Sequence, residues 1–134
     1  MEEVIAKKKV LIVDDEPNVR RLSRTILINK FEIVEAEDGR QALEQVAAKK
    51  PDVILMDLMM PKMDGLTACH IIKNDPLTKA IPIIMVTAIG FELKIRLSQQ
   101  MGANGYVTKP FLPQELLDKI LAVLANPLPS EQPI

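Results

Sequence analysis

The sequence predicts an α/β protein in which five parallel strands are covered by helices on both faces. Short aliphatic runs alternate five times with segments that repeat apolar residues every three or four positions. Parallel strands need crossover connections, which are right-handed. At 134 residues, with 48% hydrophobic and 26% charged residues, the chain suits one domain with a packed core. We expect this domain at residues 1–125, and a Pro-rich flexible tail or linker stub at 126–134.

The first predicted strand and helix flank a pair of acids. Residues 10–13 form a β-branched-rich run that ends at Asp14-Asp15, and Pro17 suits the first turn of a helix. The apolar residues of this helix have helical spacing and are Val19, Leu22, Ile26 and Leu27. The arginines expected on its opposite, solvated side are Arg20, Arg21 and Arg24.

The second and third units repeat this pattern. Residues 31–36 predict a strand, and the Asp38-Gly39 turn leads into a segment with helical spacing. The third strand is predicted at residues 53–57. A loop at 59–65 and a helix at 66–73 follow it.

The fourth and fifth units are shorter and less regular. Residues 83–86 predict the fourth strand, and residues 91–101 a helix, although the alternation of apolar residues in that helix would also suit a strand. Two glycines, Gly102 and Gly105, bracket a fifth strand around Tyr106, and Pro113 begins the last amphipathic helix.

The turn after the first strand separates two doubly wound architectures. A flavodoxin-like sheet has strand order 2-1-3-4-5, whereas a truncated Rossmann sheet would carry a G-x-G-x-x-G phosphate-binding turn after strand one. Residues 14–17 read Asp-Asp-Glu-Pro instead. We therefore expect the flavodoxin-like order, with an acidic pocket in place of a phosphate-binding turn.

Composition argues against several classes of partner. Seventeen Lys and Arg against eighteen Asp and Glu give a net charge of −1, so direct binding to nucleic acid or to an anionic membrane is not expected. The N-terminus lacks the apolar segment of a signal peptide, and residues 81–91 are too short to span a bilayer. The single cysteine, Cys69, fits a reducing compartment as an inert buried thiol. We expect a cytoplasmic protein.

Polar side chains follow the apolar runs of four predicted strands. These residues are Asp14 and Asp15 after strand one, Asp57 at the end of strand three, Thr87 after strand four and Lys109 after strand five. Sites in doubly wound sheets form beyond the carboxyl ends of the strands, and neighbouring strands lie about 4.8 Å apart. Three carboxylates meeting there would repel by about 4 kcal/mol per pair at 4 Å and an effective dielectric of 20. A hard divalent cation, best Mg²⁺, would offset this repulsion.

This set of residues suits phosphoryl transfer to a carboxylate, which needs a nucleophile, neutralising charge and a hydrogen-bond donor. Asp57 is the best nucleophile by position, because it stands alone on the central strand. Asp14 and Asp15 form a pair suited to metal ligation, Lys109 supplies a second positive charge, and Thr87 supplies a hydroxyl.

Over residues 9–124 the sequence resembles the receiver domain of response regulators from two-component signal transduction. The stretches that carry the resemblance are residues 10–17 (VLIVDDEP), 57–65 (DLMMPKMDG), 86–88 (VTA) and 109–111 (KPF). The combination is specific to this family, although each short stretch alone is weak.

The resemblance implies that Asp57 accepts a phosphoryl group from a phosphohistidine on a sensor kinase or phosphotransfer protein. It also implies that Asp15, Asp57 and the backbone carbonyl of Met59 bind Mg²⁺ directly, while Asp14 acts mainly through metal-bound water. Such a protein would catalyse its own phosphorylation and dephosphorylation while serving mainly as a signalling switch. Met59 and Ile89 would lie next to the site. Because both side chains are bulky and apolar, we expect them to hinder the attack of water on the phosphoryl group.

The same resemblance implies a switch formed by residues of the fourth and fifth strands. Lys109 would pair with the phosphoryl group, beside a peptide bond to Pro110 that is cis in this family. Thr87 would move its hydroxyl onto a phosphoryl oxygen, and Tyr106 would turn inward. Such charge-assisted bonds exist only in the active arrangement and so shift the population towards it.

Several readings of partners and function stay open. The arginines of the first helix could serve as a docking surface for the phosphodonor, and apolar residues at 91–97 could serve a partner or a homodimer, although core packing is the simpler use. Downstream, the signal would go to a protein target or to an output domain in a longer protein. A haloacid dehalogenase-type phosphatase is a weaker alternative, because it needs a D-x-D motif where this chain has Asp14-Asp15. A non-phosphorylated receiver-like interaction module is the other, but it would lack some of the acid, threonine and lysine set.

Overall fold

The computed structural model describes residues 7–88 and 92–125 of the chain. Phe91, Ile89 and the expected tail at 126–134 therefore lie outside the described residues. Along the described residues, strands alternate with helices. The elements are β1 Lys9–Val13, α1 Pro17–Leu27, β2 Glu32–Ala36, α2 Gly39–Lys49, β3 Val53–Asp57, α3 Gly65–Lys73, β4 Ile83–Ala88, α4 Glu92–Gln100, β5 Gly105–Lys109 and α5 Pro113–Ala125.

The five strands form one parallel sheet in the order β2-β1-β3-β4-β5. This order confirms the flavodoxin-like prediction. It places β1 and β3 side by side in the middle of the sheet, with β2 and β5 at its edges.

The central strands are aliphatic because helices cover the sheet on both faces. Along β1, Leu11 and Val13 pack in a core with α2 and α3, whereas Val10 and Ile12 pack in a core with α1 and α5. This alternation is the two-residue period of a strand. Every residue of β3 is buried.

Short caps and close approaches fix where the helices begin. Asp38 caps α2 by accepting the Gln41 N–H at 2.8 Å, and Asp64 caps α3 by accepting the Thr67 N–H at 2.8 Å. A Cβ on Gly65 would overlap the backbone carbonyl oxygen of Asp57, so only glycine fits at the start of α3.

The segment after β4 is the helix α4, which confirms the helix predicted there and rules out the strand alternative. Two details of β5 differ from the sequence-based expectations. Gly105 is the first residue of β5 rather than a residue outside it, and β5 reaches Lys109, because β5 pairs with β4 from Ile84 to Ala88.

The arginine side of α1 is also different. The Arg20 side chain is only 13% exposed, and both Arg20 and Arg24 form ion pairs with Glu35 of β2. The expectation of a solvated face is therefore wrong for Arg20, whereas Arg21 is exposed. The reason is that Glu35 of β2 attracts both guanidinium groups towards the sheet. In contrast, Leu22 is 52% exposed.

Cys69 is fully buried in α3, as expected of an inert thiol, and burial raises its pKa to about 11. Among residues 7–88 and 92–125, no helix combines the length and the apolar character that crossing a bilayer requires.

Candidate functional site

The ends of β1 and β3 bring three carboxylates together. Val13 pairs with Met56, so Asp14 and Asp15 leave the sheet next to Asp57. Carboxylate oxygens of the three aspartates lie within 4.8 Å of one another. Asp14 and Asp57 are buried and Asp15 is exposed. The predicted convergence of these acids is therefore present.

Lys109 reaches the carboxylates from the edge of the sheet. It is the last residue of β5 and pairs with Ala88 of β4, so its side chain extends back past β4 towards β3. Its Nζ lies 2.9 Å from Asp14 Oδ2 and 3.5 Å from Asp57 Oδ2. The lysine is thus the cation that balances the two buried acids.

Burial and charge make Asp57 reluctant to ionise. Its pKa is raised to about 6, first because the carboxyl group is buried and then because the charge of Asp14 lies close by. The Lys109 charge and the Met59 N–H, which donates to Asp57 Oδ1 at 3.2 Å, act in the opposite direction. Asp15 adds a smaller increase in the pKa.

The pKa of Lys109 is also raised, but by its acidic neighbours and against the effect of burial. Burial opposes its charged form, but the hydrogen bond to Asp14 and the charges of Asp57 and Asp14 outweigh burial and raise its pKa above the usual value. Lys109 is therefore fully charged at neutral pH.

Asp14 is held at its carboxylate and at its backbone. Its Oδ1 accepts the Glu16 N–H at 2.9 Å, and its own N–H donates to Ala36 O at 3.2 Å. Its carbonyl oxygen accepts Arg20 at 2.6 Å. Sequence reasoning missed this contact of Arg20, because helical periodicity alone does not show that the end of β2 carries acids facing α1.

Thr87 and Tyr106 do not bond to the acids, and Thr87 lies within β4 rather than after it, next to Val86, which pairs with Asp57. Thr87 is buried, and its hydroxyl donates only a long 3.4 Å bond to Ala88 O. Tyr106 pairs with Met85 on β4 and is half-buried against the α2 and α3 side of the core. Their roles in a switch remain predictions.

The loop between β3 and α3 borders the acids and is tied down at two points. Gly39 donates its N–H to Met63 O, and Gly65 donates to Leu58 O, both at 3.1 Å. Met59, in this loop, is 44% exposed, and Lys94 of α4 lies 3.0 Å from its sulfur. Across the site, the peptide bond between Lys109 and Pro110 is cis.

The chemistry of the donor set suits a metal ion. Among the described residues, Asp14, Asp15 and Asp57 form the one group of acid, cysteine or histidine side chains close enough to share a cation. They offer only carboxylate oxygens, which favour hard divalent ions. The cluster could hold a metal.

Comparison with known proteins places these features in a family. A family model for the response regulator receiver domain matches residues 10–121. The probable transcriptional regulator ycf27 of Guillardia theta is 44% identical over 120 residues, covering 88% of this chain and 46% of that protein. The phosphate regulon transcriptional regulatory protein PhoB of Pseudomonas aeruginosa is 42% identical over 130 residues, covering 95% of this chain and 57% of that protein.

Solved structures give the same answer. A putative response regulator from Chloroflexus aurantiacus superposes with a TM-score of 0.84 at 38% identity, covering 90% of this chain and 99% of that one. The chemotaxis protein CheY4 of Vibrio cholerae superposes with a TM-score of 0.83 at 34% identity, covering 88% and 99%. The chain spans about half the length of the curated relatives that it matches.

Proposed function

This chain belongs to the response regulator receiver domain family of two-component signalling, and from that membership we propose that it is a signalling switch phosphorylated on Asp57. The observation that carries the proposal is the placement of a buried Asp57 between two further acids and Lys109. Residues 1–125 would form the receiver.

The transfer step uses Asp57 as the nucleophile. One of its carboxylate oxygens attacks the phosphorus atom of a phosphohistidine on a kinase or phosphotransfer protein. The new O–P bond forms as the P–N bond breaks, and the electron pair stays with the donor imidazole. Lys109, already 3.5 Å from Asp57, would offset the charge that the phosphoryl oxygens bring.

The acids of the cluster would hold Mg²⁺. Asp15, Asp57 and the backbone carbonyl of Met59 are the proposed direct ligands, and Asp14 would contribute through bound water. When bound, Mg²⁺ supplies positive charge that is not available from Lys109 alone. Hydrolysis of the acyl phosphate in the same site would return the protein to its resting state.

The switch would follow from new bonds to the phosphoryl group. Thr87, whose hydroxyl now makes only a long bond, would donate to a phosphoryl oxygen, and Lys109 would pair with another. Tyr106 would then turn further into the core. Moving a two-state equilibrium from 1:99 to 99:1 needs about 5.5 kcal/mol, which two charge-assisted bonds can supply.

Partners and location follow from the same proposal. The donor would be a sensor kinase or phosphotransfer protein in the cytoplasm. The target would be a separate protein or an output domain of a longer chain, as the names of the transcriptional regulators among the relatives suggest.

The direct test is phosphorylation by acetyl phosphate with Mg²⁺, followed by intact-protein mass spectrometry. We expect one phosphoryl group on the wild type and none on Asp57→Asn. Asp52→Asn is the matched control, because Asp52 lies at the opposite edge of the sheet, where it accepts the Lys9 N–H. Undiminished labelling of Asp57→Asn would show that another residue is the acceptor.

A second test separates phosphorylation from switching. Tyr106 is the only tyrosine and the chain has no tryptophan, so tyrosine fluorescence reports on Tyr106 alone. We expect phosphorylation to change this signal in the wild type but not in Thr87→Ala, although Thr87→Ala still takes up phosphate. A wild-type response in Thr87→Ala would contradict the role of Thr87.

A further inference from the structure

The peptide unit between Asp14 and Asp15 is held by a side chain outside the acid cluster. Arg20, in the first turns of α1, donates from NH1 to the carbonyl oxygen of Asp14 at 2.6 Å. That carbonyl belongs to the peptide that joins the two acids. Arg20 therefore fixes the backbone from which Asp15 extends.

The Arg20 guanidinium is itself paired with Glu35 of β2 and with Glu37, just after β2. Its Nε lies 3.5 Å from Glu35 Oε1, and its NH2 lies 3.9 Å from Glu37 Oε1. The three nitrogens thus engage three different oxygens, a geometry that the planar fork of arginine permits and the single ammonium of lysine does not. Only 13% of the side chain is exposed.

These contacts join the end of β1, the end of β2 and the first turns of α1. Asp14 donates its N–H to Ala36 O, at the end of β2 between Glu35 and Glu37. Arg20 crosses the same junction from α1. The end of β1 is consequently fixed to β2 and to α1 at once.

Asp15 depends on this backbone more than its neighbour does. The Asp14 carboxylate is fixed by Glu16 and Lys109, whereas no described residue donates a hydrogen bond to the exposed Asp15 carboxylate. The direction of the Asp15 side chain is therefore set by its peptide. Glu35 and Glu37 also balance the Arg20 charge, so this arginine does not oppose a cation in the cluster.

We propose that Arg20 is a positioning residue for the divalent cation site, holding the Asp14–Asp15 peptide so that Asp15 faces the cation. The inference rests on the proposed function, because that function identifies the acids as metal ligands. Arg20 acts through this peptide, because among the described residues its side chain pairs with Glu35 and Glu37 and with none of the three carboxylates of the cluster.

The test measures Mg²⁺ binding to the unphosphorylated protein by titration calorimetry. We expect Arg20→Gln to weaken Mg²⁺ binding about 10-fold or more, as is typical when a residue that orients a metal ligand is lost. Arg20→Lys should show a smaller loss. Because the defect is one of metal affinity, raising the Mg²⁺ concentration should restore most of the rate of labelling by acetyl phosphate.

Two neighbouring arginines give matched controls. Arg24→Gln removes the other arginine paired with Glu35 without touching Asp14, and Arg21→Gln removes an exposed arginine that has no ion pair among the described residues. Both should bind Mg²⁺ as the wild type does. Wild-type affinity in Arg20→Gln, or an equal loss in Arg24→Gln, would overturn the proposal. So would failure of both Arg20 variants to fold while Arg24→Gln folds, because Arg20 would then be structural.

The two proposals fail in different ways. If Arg20→Gln binds Mg²⁺ normally while the wild type is labelled on Asp57, only the positioning role is wrong. If the wild type binds Mg²⁺ but takes up no phosphoryl group, the phosphoryl-acceptor function is wrong, and calorimetry still decides the role of Arg20.

Discussion

Polar side chains lie at one edge of the sheet where its strands begin and at the opposite edge where they end. The groups that these side chains contact differ between the two edges. At the edge where strands begin, Asp52 accepts the Lys9 N–H at 2.7 Å and donates its own N–H to Lys9 O at 2.8 Å. Asn104 makes the same pair of bonds with Ile83, at 2.9 and 2.8 Å. These side chains complete the sheet by bonding to the backbone of the neighbouring strand.

At the edge where strands end, side chains face one another instead. Asp14 and Asp57 share Lys109, and Asp15 lies within reach of the same point. Three carboxylates this close repel one another, and Lys109 offsets part of that repulsion. Asp14 and Asp57 also accept backbone N–H groups, so such a bond alone does not mark an acid as structural. The difference teaches that an acid beside a strand is a candidate for chemistry when it also meets other acids.

The largest effect that separates the two edges should come from adding one methyl group. A Cβ on Gly65 would overlap the carbonyl oxygen of Asp57. A Cβ on Gly105, at the other edge, would meet the flexible Lys119 side chain at 3.3 Å and Val123 at an ordinary contact distance of 3.9 Å. We expect Gly65→Ala to lower the free energy of unfolding by about 3 kcal/mol, and Gly105→Ala to change it by less than about 1 kcal/mol. Urea unfolding measures both. Equal losses of unfolding free energy in the two variants would mean that the edge with the site is no more closely packed than the opposite edge.

A smaller effect, of opposite sign, should come from removing the Asp57 charge in metal-free buffer. The folded-state pKa of about 6 exceeds the ordinary value of 3.8, so the folded protein holds a proton that the unfolded chain has released between these pH values. Stability contributed by Asp57 is therefore lost as pH rises from about 4 to 6, and stays lost above that range. We expect Asp57→Asn to match the wild type near pH 4 and to exceed it by about 2 kcal/mol at pH 7.

The measurement is urea unfolding of both proteins across this pH range. Adding Mg²⁺ at pH 7 should stabilise the wild type and reduce the advantage of Asp57→Asn. A difference that is constant with pH would show that the burial and charge of Asp57 do not carry the effect.

The smallest effect should come from the structural acid. Asp52→Ala removes the acceptor for the Lys9 N–H, and we expect it to lower the free energy of unfolding by about 1 kcal/mol. Asp52→Asn keeps an acceptor oxygen and should recover most of this loss. Stabilisation by Asp52→Ala would erase the distinction between the two edges.

Much of the fold could be predicted because its signals are local. Alternating aliphatic runs gave the five strands, and Asp14-Asp15 in place of a glycine-rich turn gave the strand order. The positions of Asp57 and Lys109 followed from the rule that sites form beyond strand ends, and the structure brings both to one point.

The surroundings of the site could not be predicted in the same way. Arg20 was expected among solvated arginines, because the helical pattern of α1 does not show which strand lies beneath it. Its true neighbours, Glu35 and Glu37, become visible only once β2 is paired with β1. The end of β5 at Lys109 was similarly set by pairing with β4 rather than by its own residues.

The contact between Gly39 and Met63 joins the start of α2 to the loop between β3 and α3, two segments that are distant in sequence. A Cβ on Gly39 would come within 2.6 Å of Met63 O, so the start of α2 packs directly against the backbone of the loop after β3. A displacement of either segment must move the other. A protein that binds α2 and shifts its start would therefore shift the loop that follows Asp57 without touching any of the three aspartates.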